Sequence, residues 1–160
     1  MKKINLAIQK SGRLNKESIS LLEKAGIKFD NFKDQLKVDC QNFPLNIYFL
    51  RNSDIPRYLS DGVVDIAIIG QNLIQESELN IDEIMNLNFS RCRVSIAIPL
   101  NMKYSGLKDL NNLKIATSYP NTLKKFLSNN NLNCEIHKIN GSVEISPNIG
   151  LSDAVCDIVS

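Results

Sequence analysis

The feature that most constrains the fold is an alternation between short runs rich in Ile and Val and segments in which apolar residues recur with helical spacing. The runs predict β-strands, and the intervening segments predict helices. Because a helix is the usual connection between parallel strands, the alternation predicts an α/β fold with mainly parallel sheets. Strands are predicted at residues 4–8, 45–50, 65–69, 94–99, 113–116, 134–139 and 155–159, and helices begin near residues 15, 53, 71 and 118.

Local signals refine these elements. Asn15, Ser53 and Ser118 are predicted N-caps, and Gly26 is the predicted stop of the first helix. Residues 71–87 are predicted to be helical in two pieces. The nearly continuous apolar run 65–69 predicts a strand buried on both faces. A change of pattern near residues 91–94 predicts two lobes, 1–92 and 93–160.

The composition narrows the class of protein. The 160 residues are 43% hydrophobic and 22% charged with a formal net charge of +2, which is typical of a globular chain and unlike a disordered one. Lys and Arg are dispersed, so we expect no nucleic-acid partner. No apolar run is long enough to cross a membrane, and the one after Lys3 is too short for a signal peptide. These features predict a cytoplasmic protein without a membrane partner.

The cysteines and the single histidine indicate no metal ligands. Cys40, Cys92, Cys134 and Cys156 are widely spaced and form no CxxC pair, and His137 is the only histidine of the chain. A structural zinc site would therefore need ligands from remote parts of the sequence. We expect reduced, mostly buried thiols, and we assign no residue as a metal ligand.

Polar residues follow several predicted strands, where ligands bind in open parallel sheets. After the first strand, Gly12 permits a tight turn, while Lys10 and Arg13 offer cations, and a guanidinium suits phosphate. Taken alone, this segment also fits a solvated loop with two ordinary charges. Asp65 and Gly70 bound the third strand, and Asp65 by itself fits a strand-end cap or an ion-pair partner better than a catalytic acid.

Two later strand ends offer further candidates. Ser118 and Tyr119 follow the strand ending at residue 116, where hydroxyls and a helix N-terminus can bind an anion and the ring of Tyr119 can stack on a base. A capped helix with a packed Tyr explains the same residues. Glu144 can accept ribose hydroxyls or help to hold a metal, or it is simply solvated. Neither a GxGxxG fingerprint, a P-loop lysine nor a nucleophile elbow is present.

Five motifs occur in a fixed order along the chain. They are Gln-Lys-Ser-Gly-Arg-Leu at 9–14, Asp-Gly-Val-Val-Asp-Ile-Ala-Ile-Ile-Gly at 61–70, Ala-Thr-Ser-Tyr-Pro at 116–120, Asn-Gly-Ser-Val-Glu at 140–144 and Gly-Leu-Ser-Asp-Ala-Val-Cys-Asp-Ile-Val-Ser at 150–160. In this order they closely resemble the ATP phosphoribosyltransferase family, which carries out the first step of histidine biosynthesis. The likeness runs from end to end, and the first motif resembles the long-form branch of the family.

The resemblance implies a two-lobed fold similar to type II periplasmic binding proteins, with the active site in the cleft. It also implies that N1 of ATP attacks C1 of 5-phosphoribosyl 1-pyrophosphate and that pyrophosphate leaves with Mg²⁺. Positioning two polyanions and neutralising the leaving group would supply most of the rate. The resemblance therefore implies Lys10 and Arg13 as catalytic cations, with Gly12, Asp65, Gly70, Ser118, Tyr119 and Glu144 as substrate-binding residues. Family members form dimers and hexamers, so a homo-oligomer is expected.

The sequence departs from the family pattern at its end. In the family, the strand matching 156–160 runs into a Thr-Gly-x-Thr loop whose backbone amides hold the 5-phosphate. Asp153, Asp157 and Ser160 match the start of this phosphoribosyl-binding segment. The resemblance therefore implies a C-terminally truncated chain, with an incomplete second lobe and without the regulatory domain. A non-catalytic ligand-binding module of the same fold is the alternative, and a poorly folding remnant is a third hypothesis.

Overall fold

The computed structural model describes residues 2–30 and 34–159. The chain divides into two compact units, Met1–Arg91 and Cys92–Ser160, each built around its own four-stranded sheet. The predicted α/β class with mainly parallel sheets is confirmed, because two of the three strand pairings in each sheet are parallel. Within these ranges no helix has the length and apolar character needed to cross a membrane.

The first unit is a sheet flanked by three helices. Its strands lie in the order β2-β3-β1-β4, with β1 parallel to both β3 and β4 and with β2 antiparallel to β3. The elements are β1 (Ile4–Gln9), α1 (Arg13–Lys24), β2 (Lys37–Asp39), β3 (Leu45–Leu50), α2 (Ile55–Ser60), β4 (Ile66–Ile68) and α3 (Gln71–Ser77).

The core of the first unit lies around β1 and β3, whose alternate residues Leu6, Ile8 and Ile47 are buried. Leu22 of α1 packs on the same cluster, so the apolar face of this helix is what attaches it to the sheet. Gly26 has φ +79° just after the helix, which confirms its role as the stop.

The second unit repeats this plan with a different connectivity. Its strands lie in the order β5-β8-β6-β7, with β6 parallel to β7 and β8 and with β5 antiparallel to β8. The elements are β5 (Arg93–Ala97), a 3-10 helix (Leu107–Leu110), β6 (Lys114–Thr117), α4 (Pro120–Asn129), β7 (Glu135–Lys138), a second 3-10 helix (Val143–Ile145) and β8 (Ala154–Val159). Ile115, Leu123 and Cys156 are at the centre of its core.

The three predicted N-caps, Asn15, Ser53 and Ser118, are wrong. Helix α1 begins at Arg13 after Gly12, so Asn15 lies inside the first turn, where its amide donates to the Gln9 carbonyl at 2.7 Å. Helix α2 follows Asp54 rather than Ser53. The side chain of Asn15 therefore bonds to the end of β1, and Ser53 lies one residue before the true N-cap of α2.

Two other local predictions are also wrong. β4 is an edge strand of the described sheet, and Ile66 is 37% exposed, so it is not buried on both faces. Only Gln71–Ser77 of the predicted helical stretch is helical, because Glu78 adopts a left-handed conformation with φ +54° that ends α3. Residues 79–89 contain neither helix nor strand.

Candidate functional site

Three parallel strands of the first unit end at one edge of their sheet, which we call the first carboxyl edge. The segments that follow β1, β3 and β4 meet there, with β1 in the middle. Lys10 and Gly12 lie after β1 and Gly70 lies after β4, so the fold brings these three predicted site residues to the same edge. The Lys10 amide donates to the Leu50 carbonyl at 2.8 Å, which joins the segments after β1 and β3.

Gly12 makes the turn from β1 into α1. Its φ of +91° lies in the region that L side chains rarely adopt, and a Cβ on it would come within 3.3 Å of Gln9 Nε2. The backbone conformation therefore favours a glycine here, whereas the contact with the flexible end of Gln9 would require only a small shift of that side chain. The turn leaves the side chain of Lys10 exposed beside the strand ends.

The side chain of Arg13 is hydrogen-bonded to a distant part of the first unit. It is the first residue of α1, and its Nη2 donates to the Arg91 carbonyl at 3.0 Å. One helical turn later, Glu17 accepts a hydrogen bond from the Ser90 hydroxyl. Sequence reasoning predicted a cation at Arg13 but missed these partners, because they lie more than seventy residues away.

Two asparagines at the first carboxyl edge were not predicted as site residues. Asn52 Oδ1, after β3, and Asn72 Nδ2, after β4, are buried and have no hydrogen-bond partner among the described residues. A Cβ on Gly70 would collide with Asn72 Oδ1, although the φ of −69° at Gly70 suits any residue. A side chain at position 70 would therefore displace the Asn72 amide, whose Nδ2 donor has no hydrogen-bond partner among the described residues.

Asp65 lies at the opposite, amino edge of the first sheet. Its carboxylate accepts from the Asn5 amide at 2.7 Å, and its own amide donates to the Asn5 carbonyl at 2.9 Å. This reciprocal pair joins the beginnings of β1 and β4. Asp65 thus has the geometry of a strand-end cap.

In the second unit, the ends of β6, β7 and β8 form a second carboxyl edge. Ser118, after β6, donates its hydroxyl to the Ile139 carbonyl at 2.9 Å, and Thr117 donates to the Cys156 carbonyl at 2.7 Å. The Thr117 oxygen also accepts from the Tyr119 amide at 2.8 Å, and Tyr119 is 8% exposed. Ser118 therefore connects two strand ends and is not an N-cap, because α4 follows Tyr119.

The remaining predicted residues lie at different places around the second sheet. Glu144 is exposed in the second 3-10 helix, after β7. Asp157 lies on β8, in register with Ser95 of β5, and its carboxylate accepts from the Ile158 amide at 2.8 Å. Asp153 lies at the amino edge, where its carboxylate accepts from the Lys114 amide at 2.8 Å. Ser160 falls outside the described residues.

Arg93 is a further cation at the second carboxyl edge that sequence reasoning missed. β5 runs antiparallel to β8, so its first residue, Arg93, pairs with Val159 at the end of β8. Its Nε donates to the Ser95 hydroxyl at 3.3 Å. The reversed direction of β5 is the signal that places this guanidinium among the strand ends.

Three other features of the described residues bear on a functional site: metal ligands, an apolar cavity and a carboxylate with a shifted pKa. In the described ranges, no group of three or more His, Cys, Asp or Glu side chains is placed to hold a metal ion. An apolar cavity of about 400 Å³ lies in the second unit between β5 and α4, against residues such as Ile96 and Phe126. Hydrogen bonds from Lys3 and Lys37 lower the pKa of Asp39, which lies on the edge strand β2.

The architecture defines the broad class first. An arginine-transport periplasmic binding protein from Legionella pneumophila is similar in fold, with a TM-score of 0.53 at 12% identity, covering 99% of this chain and 69% of that one. The chain therefore has the type II periplasmic-binding-protein fold, as predicted.

Closer similarities define the family. The family model described as "HisG: ATP phosphoribosyltransferase" matches residues 51–160. An ATP phosphoribosyltransferase from Cytophaga hutchinsonii is 52% identical over 157 residues, covering 98% of this chain and 55% of the relative. A structure of the ATP phosphoribosyl transferase (HisG:HisZ) complex from Thermotoga maritima has a TM-score of 0.79 at 29% identity, covering 98% of this chain and 74% of that one.

The chain belongs to the ATP phosphoribosyltransferase family. This confirms the resemblance drawn from the five motifs. The chain spans about half the length of the curated relatives it matches.

Proposed function

We propose that the protein takes part in the transfer of the phosphoribosyl group of 5-phosphoribosyl 1-pyrophosphate to N1 of ATP, the first step of histidine biosynthesis. The observation that carries this proposal is family membership, with 52% identity to a relative over nearly the whole chain. In this reaction N1 forms a bond to C1 of the ribose. The bond from C1 to the pyrophosphate oxygen breaks, and its electron pair leaves with pyrophosphate.

Charge neutralisation is the part of this reaction that the first carboxyl edge supports. Lys10 is exposed beside the strand ends, and Arg13 starts the adjacent helix. A guanidinium has five N–H donors, so the bond from Arg13 to the Arg91 carbonyl leaves others for a phosphate or pyrophosphate oxygen. We therefore propose that Lys10 and Arg13 bind substrate anions and stabilise the charge that develops on the leaving group.

Other residues hold the substrates or the sheets. We propose that Asn52 and Asn72 supply an acceptor and a donor to a bound nucleotide, since each amide has one unused group at the first carboxyl edge. In the second unit, Ser118 at the second carboxyl edge, Glu144 in the second 3-10 helix and Asp157 on β8 remain proposed substrate ligands.

The two amino-edge aspartates have another role in this proposal. Asp65 and Asp153 bind backbone amides at the edges opposite the strand ends. We propose that they stabilise the sheets without touching substrate. Tyr119 is mostly buried, so we propose that it supports the second carboxyl edge by packing and not by stacking on an exposed base.

Mg²⁺ enters the proposal as part of the pyrophosphate substrate. Mg²⁺ binds through substrate phosphates and one or two carboxylates and keeps several waters. Among the described residues, no three His, Cys, Asp or Glu side chains converge on one point. One or two carboxylates of the protein would therefore suit an ion that is carried mainly by the substrate phosphates. Exposed Glu144 is the carboxylate we propose for contact with the ion or with ribose hydroxyls.

We further propose a cytoplasmic oligomer. The Thermotoga maritima relative is described as a HisG:HisZ complex, which supports assembly with other subunits. Light scattering after size-exclusion chromatography measures the assembly of this protein, and a monomer at all concentrations would contradict the proposed oligomer.

The activity is tested with the complete translated product and, in parallel, with the 160-residue chain. Pyrophosphate release is followed with ATP, 5-phosphoribosyl 1-pyrophosphate and Mg²⁺. Lys10→Met should lower kcat/KM at least tenfold, whereas Lys16→Met, which changes an exposed lysine on α1, should leave it within twofold. If the complete product releases no pyrophosphate but binds an amino acid in calorimetry, the protein is a binding module and the proposed function is wrong.

A further inference from the structure

One face of α1 holds the last residues of the first unit. Arg13 and Glu17 are four positions apart, so their side chains lie on the same side of the helix. Glu17 accepts from the Ser90 hydroxyl, and Arg13 donates to the carbonyl of the next residue, Arg91, at 3.0 Å. Two neighbouring residues of a distant segment are therefore bound by two neighbouring side chains of one helix.

The bound segment has a constrained backbone. Asn88 has φ +59° and Ser90 has φ +48°, and both are left-handed values that residues other than glycine rarely adopt. Such conformations persist when surrounding contacts hold them. Here the Asn88 amide donates to Asn86 Oδ1 at 2.9 Å, the Arg91 side chain donates to Asn88 Oδ1 at 3.2 Å, and Glu17 holds Ser90.

These contacts connect Glu17 to the guanidinium of Arg13 through the backbone. Ser90 directly precedes Arg91, so the hydrogen bond that fixes Ser90 on Glu17 anchors the chain one residue before the carbonyl that Arg13 uses. Because a guanidinium is planar, one fixed hydrogen bond restricts its orientation while its other donors stay available. An exposed Arg without this bond would sample many rotamers, and fixing it on substrate binding would cost entropy.

We propose that Glu17 and Ser90 are positioning residues that hold the Arg13 guanidinium in its substrate-binding orientation. The proposal rests on the proposed function for the role of Arg13. Neither Glu17 nor Ser90 touches the substrate; both act through the Arg91 carbonyl. Their removal should therefore weaken anion binding and transition-state stabilisation only as long as Arg13 is present.

The variants separate the hydroxyl from the backbone strain. Ser90→Gly keeps the left-handed conformation without steric cost but removes the donor to Glu17, so it should not destabilise the fold through the backbone. Glu17→Ala removes the acceptor, and Glu17→Gln keeps an acceptor oxygen. Glu23→Ala, an exposed acidic position on the same helix, is the matched control.

The kinetic test is a double-mutant cycle on the complete translated product. Ser90→Gly and Glu17→Ala should each lower kcat/KM for 5-phosphoribosyl 1-pyrophosphate about tenfold, Glu17→Gln should recover most of the loss, and Glu23→Ala should change nothing. In an Arg13→Ala background, Glu17→Ala should have less than a twofold further effect. Equal losses in both backgrounds, or no loss while Arg13→Ala is impaired, would overturn the proposal.

A second readout does not depend on activity. The mobility of the Arg13 Nε–H group is measured by ¹⁵N relaxation in the protein without substrate, and its order parameter should fall in Glu17→Ala and Ser90→Gly but not in Glu23→Ala. An unchanged order parameter refutes the positioning role even if the protein is inactive. An inactive complete product with the expected loss of order would instead place the failure in the proposed function.

Discussion

Replacing Thr117 by Val tests whether the end of β6 is held by the hydroxyl or by apolar packing. Thr117 is 0% exposed, and its hydroxyl donates to the Cys156 carbonyl at 2.7 Å and accepts from the Tyr119 amide at 2.8 Å. The variant keeps the shape of the side chain and removes both hydrogen bonds. A typical hydrogen bond contributes about 1 kcal/mol net, and a buried group that loses its partner costs about 1–3 kcal/mol. We therefore expect Thr117→Val to lower the free energy of unfolding by about 2–4 kcal/mol.

Thr117→Ser is the matched control for this prediction. It keeps the hydroxyl and removes one buried methyl group, which costs about 1 kcal/mol. Urea unfolding followed by far-UV circular dichroism gives both values by linear extrapolation, since the chain contains no Trp to report by fluorescence. Hydrogen exchange of the Tyr119 amide localises the effect and should accelerate in Thr117→Val alone. If Thr117→Val is as stable as Thr117→Ser, packing holds this strand end and the role assigned to the hydroxyl is wrong.

Three further predictions concern space, charge and the core. Gly70→Ala should leave the urea midpoint nearly unchanged, because the Asn72 amide can turn away from the new methyl group. The variant should nevertheless lower activity, because that amide is displaced. Full activity would contradict the role proposed for Asn72. Hydrogen bonds from Ser105 hold the pKa of Asp109 below its usual range, so its stabilisation is present at pH 7 and lost as pH falls through that lowered pKa. Asp109→Asn should therefore have a lower urea midpoint than the parent at pH 7, and the difference should shrink and vanish as the pH falls through the lowered pKa of Asp109. Leu123→Ala, at a side chain that is 1% exposed, should cost about 2–5 kcal/mol in urea unfolding.

The strands were predictable because their signal is local. Residues 45–50 form β3 as predicted, and the other predicted strands differ from the observed ones by one or two residues at their ends. Runs of Ile and Val identify strands buried in a parallel sheet without knowledge of their neighbours. β2 escaped prediction because three residues, Lys37–Asp39, are too few to show alternation.

The helix starts and the irregular stretch 79–89 depended on backbone conformations and contacts that residue types alone do not reveal. Asn15 is a good N-cap residue, but the carbonyl of Gln9 lies within its reach, and Gly12 already makes the turn. Ser118 bonds to the end of β7, a contact that arises only once the second sheet has formed. Residues 79–89 have helical composition, but the left-handed Glu78 ends α3 before them.

The candidate site was predictable to the level of residue type and strand end, but not to the level of partners. Lys10, Gly12 and Gly70 reach one edge because the neighbouring parallel strands β1 and β4 end together, which follows from the topology of the sheet. The bond from Arg13 to the Arg91 carbonyl and the position of Arg93 required the folded chain. Arg93 in particular depends on an antiparallel pairing that the sequence does not reveal.

The two sheets are closed at their amino edges by the same arrangement of hydrogen bonds. In each unit, an Asp that directly precedes a parallel strand forms hydrogen bonds with the backbone of one residue on the neighbouring strand. Asp65, before β4, pairs with Asn5 of β1, and Asp153, before β8, pairs with Lys114 of β6. In each pair, the Asp amide donates to the carbonyl of the partner residue at 2.8 or 2.9 Å, and the Asp carboxylate accepts a hydrogen bond from the amide of that same residue. This satisfies a strand-end N–H that would otherwise require water or another partner. Since the same device closes both sheets at the end away from Lys10, Gly70 and Ser118, the motif aspartates at 65 and 153 are explained by sheet assembly.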